Sequence, residues 1–444
     1  MILLAISFFI IYALFARVNF RLASGFLILL LPSYLIRFSF GPLPTTLLEL
    51  SFGAIFLVWL WRYAREDWPK ILALVKKNKW LFAMTGLLLA AAAIASFVGA
   101  DIYESRLAAA FSALGIWRAY FLEPILFFII LLARSETKQI FFWLALSTVS
   151  ISVLAIVQKL TGQFYPPSLW DAQLFGRPTS FFTSANAIGL YLGPIVMLTL
   201  CVIARKRRRG ADEAIPLLKQ GDRHVASLLA MTLIITLAIV AIFLSRSAGA
   251  LFALGVGLLV FIFSLGWKKL ATTILLCGLA TIILFPPLRT TAIFQDQAGQ
   301  NRLALWKYST EFLTESPKNF IFGAGLRKFF RQVQRPHYDP TQMERLAYPH
   351  NLFLNFWLET GLLGLLAFLG LLGWAAKTAW KIKKAAPLIG AGLLAALTAF
   401  FIHGLVDVPY FKNDLAMIFW IIMAAIALTS ISISSDSARA HRSE

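Results

Sequence analysis

Long apolar runs recur along the whole chain, separated by short polar or basic segments. A helix that crosses a bilayer needs about 20 mostly apolar residues, with about 17 as a lower bound. By that measure the chain predicts spans near residues 43–61, 80–98, 113–133, 140–158, 187–203, 225–244, 248–265, 270–285, 352–374, 386–402 and 414–428. Two shorter runs, 2–16 and 22–36, precede them, and the second contains Pro32. They read as two short spans or as one interrupted hairpin. No basic residue precedes the first run, so it reads as a retained helix and not as a cleaved signal peptide. The expected fold is an all-α polytopic membrane protein with about 12–13 transmembrane helices.

The segments between the runs give orientation, because short cytoplasmic loops carry an excess of Lys and Arg. Segments 62–79, 204–224 and 377–384 hold six, seven and four basic residues. Arg17 and Arg21, Arg134 and Lys138, and Lys268 and Lys269 mark further loops on that side, and the C-terminal tail lies there too. Opposite them, Gly99 to Ser105 has no Lys or Arg at all. Stretch 62–79 mixes Trp68, Ile71, Leu72 and Val75 with Lys70, Lys76 and Lys79, as an interfacial helix on the inner leaflet would. Two outer segments are long. Thr161 to Ala185 is rich in Pro, aromatic and small polar residues. Pro286 to Pro349 is 64 residues long and carries nine Lys or Arg. Loops above about 60 residues escape the positive-inside rule. The basic character of this one is either a solvated surface or a site for an anionic ligand. The chain therefore divides into N-terminal helices over 1–160, a core over 161–414 containing outer loop 286–349, and a last helix with cytoplasmic tail over 415–444.

Composition agrees with the pattern. Of 444 residues, 59% are hydrophobic and 14% charged, with a mean hydropathy of +0.76. Soluble domains carry about 25% charged residues, so a soluble enzyme and a disordered chain are both excluded. The net charge of +20 follows from basic cytoplasmic loops and does not indicate nucleic-acid binding. The two cysteines, Cys201 and Cys277, have no ligand-like spacing. No 20–50-residue repeat is present, and the two halves do not resemble each other, which argues against a solenoid and weakens an inverted-repeat transporter reading.

Common soluble chemistries find no motif here: there is no phosphate-binding glycine loop, HExxH pair or GxSxG elbow. Of five histidines, His224 and His441 fall on the cytoplasmic side, and His337, His350 and His403 on the outer side. His350 sits in Tyr348-Pro349-His350-Asn351, where the long outer loop meets a span. Proline favours the first helical turn, so His350 is expected at or near a helix N-terminus. The helix dipole there disfavours imidazolium, and a neutral ring is a competent general base. Arg177, in Gly176-Arg177-Pro178, Arg246, in Ser245-Arg246-Ser247, and Arg302, in Asn301-Arg302-Leu303-Ala304-Leu305-Trp306, face the same side. Each alone is a snorkelling interfacial residue or a functional one. Three guanidiniums with few carboxylates nearby suit a diphosphate, which arginine grips bidentately.

With these residues in view, the chain resembles the O-antigen ligase and polysaccharide polymerase superfamily of integral membrane glycosyltransferases. His350-Asn351, nine residues, then Gly361-Leu362-Leu363-Gly364 is similar to the family's His-Asn-x9-Gly-x-x-Gly signature. Arg302 to Trp306 resembles its Arg-x3-Trp element, and Phe322-Gly323-Ala324-Gly325 the glycine-rich turn that follows. Ser245-Arg246-Ser247 resembles its Ser-Arg turn, and Gly176-Arg177 with Asn186 its Arg…Asn element. The likeness covers roughly residues 170–410; the N-terminal spans match only in hydropathy. It implies a GT-C-like helical bundle in the bacterial cytoplasmic membrane, acting in polysaccharide and lipopolysaccharide biosynthesis at the cell envelope. The donor is a glycan on a polyprenyl diphosphate, usually undecaprenyl diphosphate. The acceptor is a hydroxyl of a glycan or glycolipid at the outer face. Transfer inverts the anomeric carbon and uses no metal, nucleotide or other cofactor. Carried over by position, His350 is the base on the acceptor or a diphosphate contact, Arg246 and Arg302 hold the diphosphate, and Arg177 assists. Asn351, Asn186, Gly361 and Gly364 support them.

Some residues stay open. His403 and Asp407 close the next outer span end, either as support for the site or as a structural helix-end pair. Glu123 after Arg118 reads as half of an ion pair within or between helices, and Glu359 as a polar packing contact. The motifs do not separate ligase from polymerase. The competing class is a lipid-linked-glycan flippase or other polytopic transporter, which would spread its charges along a midplane pathway. A non-catalytic scaffold of a glycan-assembly complex is a third.

Overall fold

The computed structural model describes residues 2–40, 43–98, 113–166, 176–212, 218–341 and 343–440. The bare loop 99–105, residues 167–175 of the first long outer loop, and His441 lie outside the described residues. Two helices, α1 (Ile2–Val18) and α2 (Phe20–Leu29), meet at Asn19, whose side chain accepts the Leu22 N–H at 3.0 Å and caps α2. At ten residues α2 is about half the length of a span. The second apolar run is thus a short helix that gives way to a 3-10 turn, Leu31–Leu35, carrying Pro32.

The expected span at 43–61 starts late. Residues Arg37–Phe40 (β1) and Leu43–Thr46 (β2) form an antiparallel hairpin with Arg37 opposite Thr46. Pro44 has no N–H to give a helix, and Thr46 is a helix cap. α3 (Leu47–Arg62) therefore begins at Leu47, with Thr46 and Glu49 forming a reciprocal capping box. A 95° bend separates it from α4 (Ala64–Lys77). Arg134 clamps that bend by pairing with both Glu66 and Asp67. α4 takes the place of the interfacial helix expected at 62–79.

The chain continues through α5 (Lys79–Ala95), α6 (Ala113–Arg134), α7 (Thr137–Thr161), α8 (Asn186–Asp212), α9 (Leu218–Leu244), α10 (Ala248–Ser264) and α11 (Lys268–Leu284). A 100° bend then leads into α12 (Pro286–Ala292), α13 (Gln297–Glu315) and α14 (Pro317–Phe322), the first helices of the long polar loop. Three long helices close the chain: α15 (Leu352–Ala385), α16 (Pro387–Gly404) and α17 (Asn413–Ala440). Among the described residues five helices are long and apolar enough by themselves to cross a membrane, up to seven if each bent pair is one span, and six shorter apolar helices accompany them.

The bundle is apolar both at its centre and on its periphery. α17 is apolar all round and every residue from Asn413 to Ala427 is buried, as a central helix requires. α16 packs against α8, α10 and α15, and α15 also against α5. On the periphery, α11 exposes Leu275, Leu276, Leu279, Ile283 and Leu284. A surface this apolar is tolerated only where lipid replaces water. One set of buried polar groups is tied together. Arg118 reaches Glu49 at 2.5 Å and Glu123 at 3.2 Å, and Asn413 donates to the other Glu49 oxygen at 2.8 Å. The ion pair expected for Glu123 is therefore present, and it joins the N-terminal helices to the central one.

Glycine sets one junction. Gly361 has φ 71° and ψ 178°, which breaks α15 after its first nine residues. The break lets the Gly323-Ala324-Gly325 turn dock, with the Ala324 and Gly325 N–H groups donating to Leu358 O at 2.7 and 3.1 Å. A Cβ on Gly361 would lie 2.5 Å from Ile321 O, and one on Gly323 (φ 68°) 2.3 Å from Leu358 O. The two glycine motifs are thus two faces of one contact. Gly361→Ala is expected to destabilise the protein by at least about 2 kcal/mol through left-handed strain and overpacking. Gly373→Ala, in the same helix with nothing within 4 Å, should be neutral or slightly stabilising. Thermal midpoints in detergent compare them, and equal midpoints would refute the close-approach account.

Candidate active site

Three elements far apart in sequence meet at the short turn between α16 and α17. From α13, Arg302 Nε donates to Val406 O at 3.0 Å. Ahead of α15, Asn351 Nδ2 donates to Leu405 O at 3.1 Å and His350 Nδ1 lies 3.2 Å from Asp407 Oδ1. From the start of α10, just after the turn that carries Arg246, Gly249 sits so close that a Cβ would be 2.9 Å from Val406 Cγ2. Trp306 Nε1 donates to Pro349 O at 3.0 Å, locking the Arg302 helix to the histidine segment. Arg302, Arg246 and His350 therefore share one end of the bundle, as expected.

His350 is near a helix start but not in the first turn. Asn351 is the N-cap, accepting the Phe353 and Leu354 N–H groups at 3.0 Å. Pro349 lies outside the helix, and His350 takes a left-handed backbone, φ 52°. Asp407 orients the ring. A carboxylate only accepts, so the pairing selects the tautomer with hydrogen on Nδ1 and leaves the Nε2 lone pair free. Among the described residues Nε2 has no partner. The Asp407 side chain is 5% exposed. Burial acts to raise its carboxyl, but His350, His403 and the Val408 N–H at 2.8 Å outweigh that and hold it well below the usual carboxylate range. It stays ionised as a fixed orienting group. The edge of Tyr348 flanks the imidazole, ring centroids 5.0 Å apart.

The arginines differ in how much of each is already used. Arg177 spends Nε on Ser245 O and one terminal nitrogen on Asn186 Oδ1, both at 2.7 Å. It pins the turn that carries Arg246, and Asn186 holds it in turn. Burial, then the like charge of Arg246, pushes Arg177 below the usual arginine range. Two neighbouring cations without a carboxylate are a place an anion would relieve. Arg246 is exposed, with φ 51°, and its guanidinium has no partner among the described residues. Arg302 is anchored only through Nε, so both terminal nitrogens are free for a bidentate grip. Left-handed backbone at a non-glycine residue costs about 1–3 kcal/mol and persists where surrounding structure holds it; here it occurs at both Arg246 and His350.

Gly361 and Gly364 do not touch this cluster. They shape the α15 break behind it, where a Gly364 Cβ would collide with Thr360. His337 stacks on Tyr308 with centroids 4.1 Å apart and belongs to the loop's own packing. Glu359 accepts the Arg327 N–H at 2.6 Å, a polar packing contact as expected. The sequence left Asp407 undecided between site and scaffold; its place is beside His350, which spacing could not show across 57 residues.

No curated protein matches the chain. Residues 233–369 match the family model described as O-antigen ligase, a stretch that holds Arg246, Arg302, His350, Gly361 and Gly364 but not Arg177, Asn186 or Asp407. With that match laid over the geometry above, the chain is a multi-pass membrane protein whose residues 233–369 are similar to the O-antigen ligase family.

Proposed function

We propose that the protein transfers a glycan from a polyprenyl diphosphate, of the undecaprenyl type, to an acceptor hydroxyl of a glycan or glycolipid. The reaction takes place at the outer face of the bacterial cytoplasmic membrane. The observation that carries this is the pairing of a free His350 Nε2, fixed through Nδ1 by Asp407, with the unpartnered guanidinium nitrogens of Arg302 and Arg246. In the proposed step His350 Nε2 takes the proton of the acceptor hydroxyl. The acceptor oxygen bonds to the anomeric carbon as the bond to the diphosphate oxygen breaks. The diphosphate departs with the electron pair, its charge held by Arg302 and Arg246. A single displacement inverts the anomeric centre. The leaving diphosphate needs charge stabilisation more than a proton, and preorganised arginines supply it without a metal or nucleotide. A polymerase and a ligase differ here only in the acceptor.

The test is transfer by purified protein in nanodiscs, from a defined polyprenyl-diphosphate glycan, without added metal or nucleotide. An absolute requirement for ATP or a divalent ion would overturn the reading. Orientation is tested separately. Single cysteines placed in 286–349 and in 176–186 should be tagged by an impermeant reagent from outside intact cells, and cysteines in 204–224 should be spared. Outside labelling of 204–224 would invert the topology and put the site on the wrong face.

A further inference from the structure

Beside the His350–Asp407 pair lies a second polar chamber that the transfer step does not use. Its volume is about 140 Å³. Arg37 and Arg327 stand exposed at its rim, Lys412 lines it, and Asn355 and Glu359 are buried in its wall. Tyr348 lines it as well and is the ring that packs on His350, so chamber and catalytic pair share a wall.

Two features mark it as built for a ligand. First, Asn355 is 0% exposed, yet both its amide nitrogen and its amide oxygen lack a partner. Buried amides are paired as a rule, and an orphan with both ends free is expensive unless something else pairs it. Second, the charges do not balance. Three cations face one carboxylate, and that carboxylate, Glu359, accepts the backbone N–H of Arg327. Among the described residues the side chains of Arg37, Arg327 and Lys412 make no hydrogen bond or ion pair. Burial works against the charge on Lys412, but Tyr348, Asp414, Asp407 and Tyr120 around it more than compensate and raise it above the usual lysine range. It is a cation held in place with its donors unspent.

The chamber is smaller than the roughly 300–1,000 Å³ of sites for drug-sized ligands, so it suits one substituent and not an oligosaccharide. Tyr34, Tyr120 and Phe411 add apolar surface between the polar groups. In the proposed step the diphosphate has its own arginines, Arg246 and Arg302, and neither lines this chamber. We propose that this chamber is a specificity subsite for an anionic substituent, a carboxylate or phosphate, on the sugar that reacts at His350, with Lys412, Arg37 and Arg327 as its counter-charges and Asn355 as its hydrogen-bonding partner. This rests on the glycan-transfer reading, but its test does not depend on transfer.

The experiment measures binding of glucuronate, glucose 6-phosphate and glucose to the full-length protein in nanodiscs by saturation-transfer NMR. The variants are Lys412→Gln, Lys412→Arg and Asn355→Asp, with thermal midpoints confirming that each folds. Wild type should bind at least one anionic probe about tenfold more tightly than glucose, the effect of one charge-assisted hydrogen bond. The stronger of the two identifies the anion. Lys412→Gln and Asn355→Asp should erase that preference, Lys412→Arg should keep most of it, and glucose should bind all variants alike. His350→Ala should bind the probes normally, so a failure of the catalytic reading would leave this result standing. Equal binding of glucose and both anions by wild type would overturn the proposal. So would an equal loss of sugar-free polyprenyl diphosphate in Lys412→Gln, which would make the chamber the diphosphate site. In transfer assays, a KM raised by Lys412→Gln for an acidic donor places the substituent on the donor; a KM raised for an acidic acceptor places it there.

Discussion

Replacing His350 with alanine is expected to slow transfer by about 10²–10⁴-fold, the usual contribution of a general base, while donor binding stays close to wild type. The separation follows from the geometry. His350 is anchored to Asp407, whereas Arg302 is anchored to Val406 and Arg246 rides on the turn pinned by Arg177. Removing the imidazole leaves both arginines in place. Asp407→Asn is the finer probe. The asparagine amide can offer its N–H to Nδ1, which moves the ring hydrogen to Nε2 and removes the lone pair the acceptor needs. Transfer should fall to a level between wild type and His350→Ala, again with donor affinity preserved. Transfer rate and donor binding, measured side by side, decide it. If donor affinity collapses together with turnover, the imidazole is a diphosphate contact instead. Near-normal transfer by the alanine variant would remove the base role altogether.

Arg302→Lys and Arg246→Lys should each lose about 10²–10³-fold in turnover, the range for deleting one preorganised donor to developing charge. Lysine keeps the charge but not the planar fork. At Arg302 the loss is twofold in kind: the Nε anchor to Val406 and the two free terminal nitrogens both go. Arg177→Lys should act differently. It breaks the clamp to Ser245 and Asn186, so its effect should track that of Asn186→Ala and be largely absent from a background in which Arg246 is already alanine. Single-turnover rates in the paired variants test that coupling. Independent, additive losses for Arg177 and Arg246 would show that Arg177 grips the substrate itself. Full activity in Arg302→Lys would reduce that residue to a point charge.

Much of this protein is legible along the chain because hydropathy is a local property. Apolar runs of about 20 residues have few alternatives to a helix in lipid, and helices occupy the regions where those runs fall. Motif order also carried through. The Ser-Arg turn, the Arg-x3-Trp stretch and the His-Asn pair form one set along the chain, and the structure gathers them at one end of the bundle. Where short-range polar chemistry competed with hydropathy, the pattern misled. The 43–61 run hid a hairpin at Arg37–Thr46 because Pro44 and Thr46 resist helix while remaining compatible with an apolar window.

Packing alone decided the rest, because contacts between helices depend on rotation and crossing angle, which composition does not encode. Asp407 reaches His350 only because α15 and α16 pack side by side, and it is this contact that orients the ring. The signatures at Gly323 and Gly361 look independent in sequence, yet each exists to let the other's backbone approach. The second chamber is assembled from Arg37 in the N-terminal hairpin, Arg327 in the long loop, Asn355 in α15 and Lys412 before α17. No spacing rule links those four positions, and only the folded bundle brings their charges and the orphaned amide to one place.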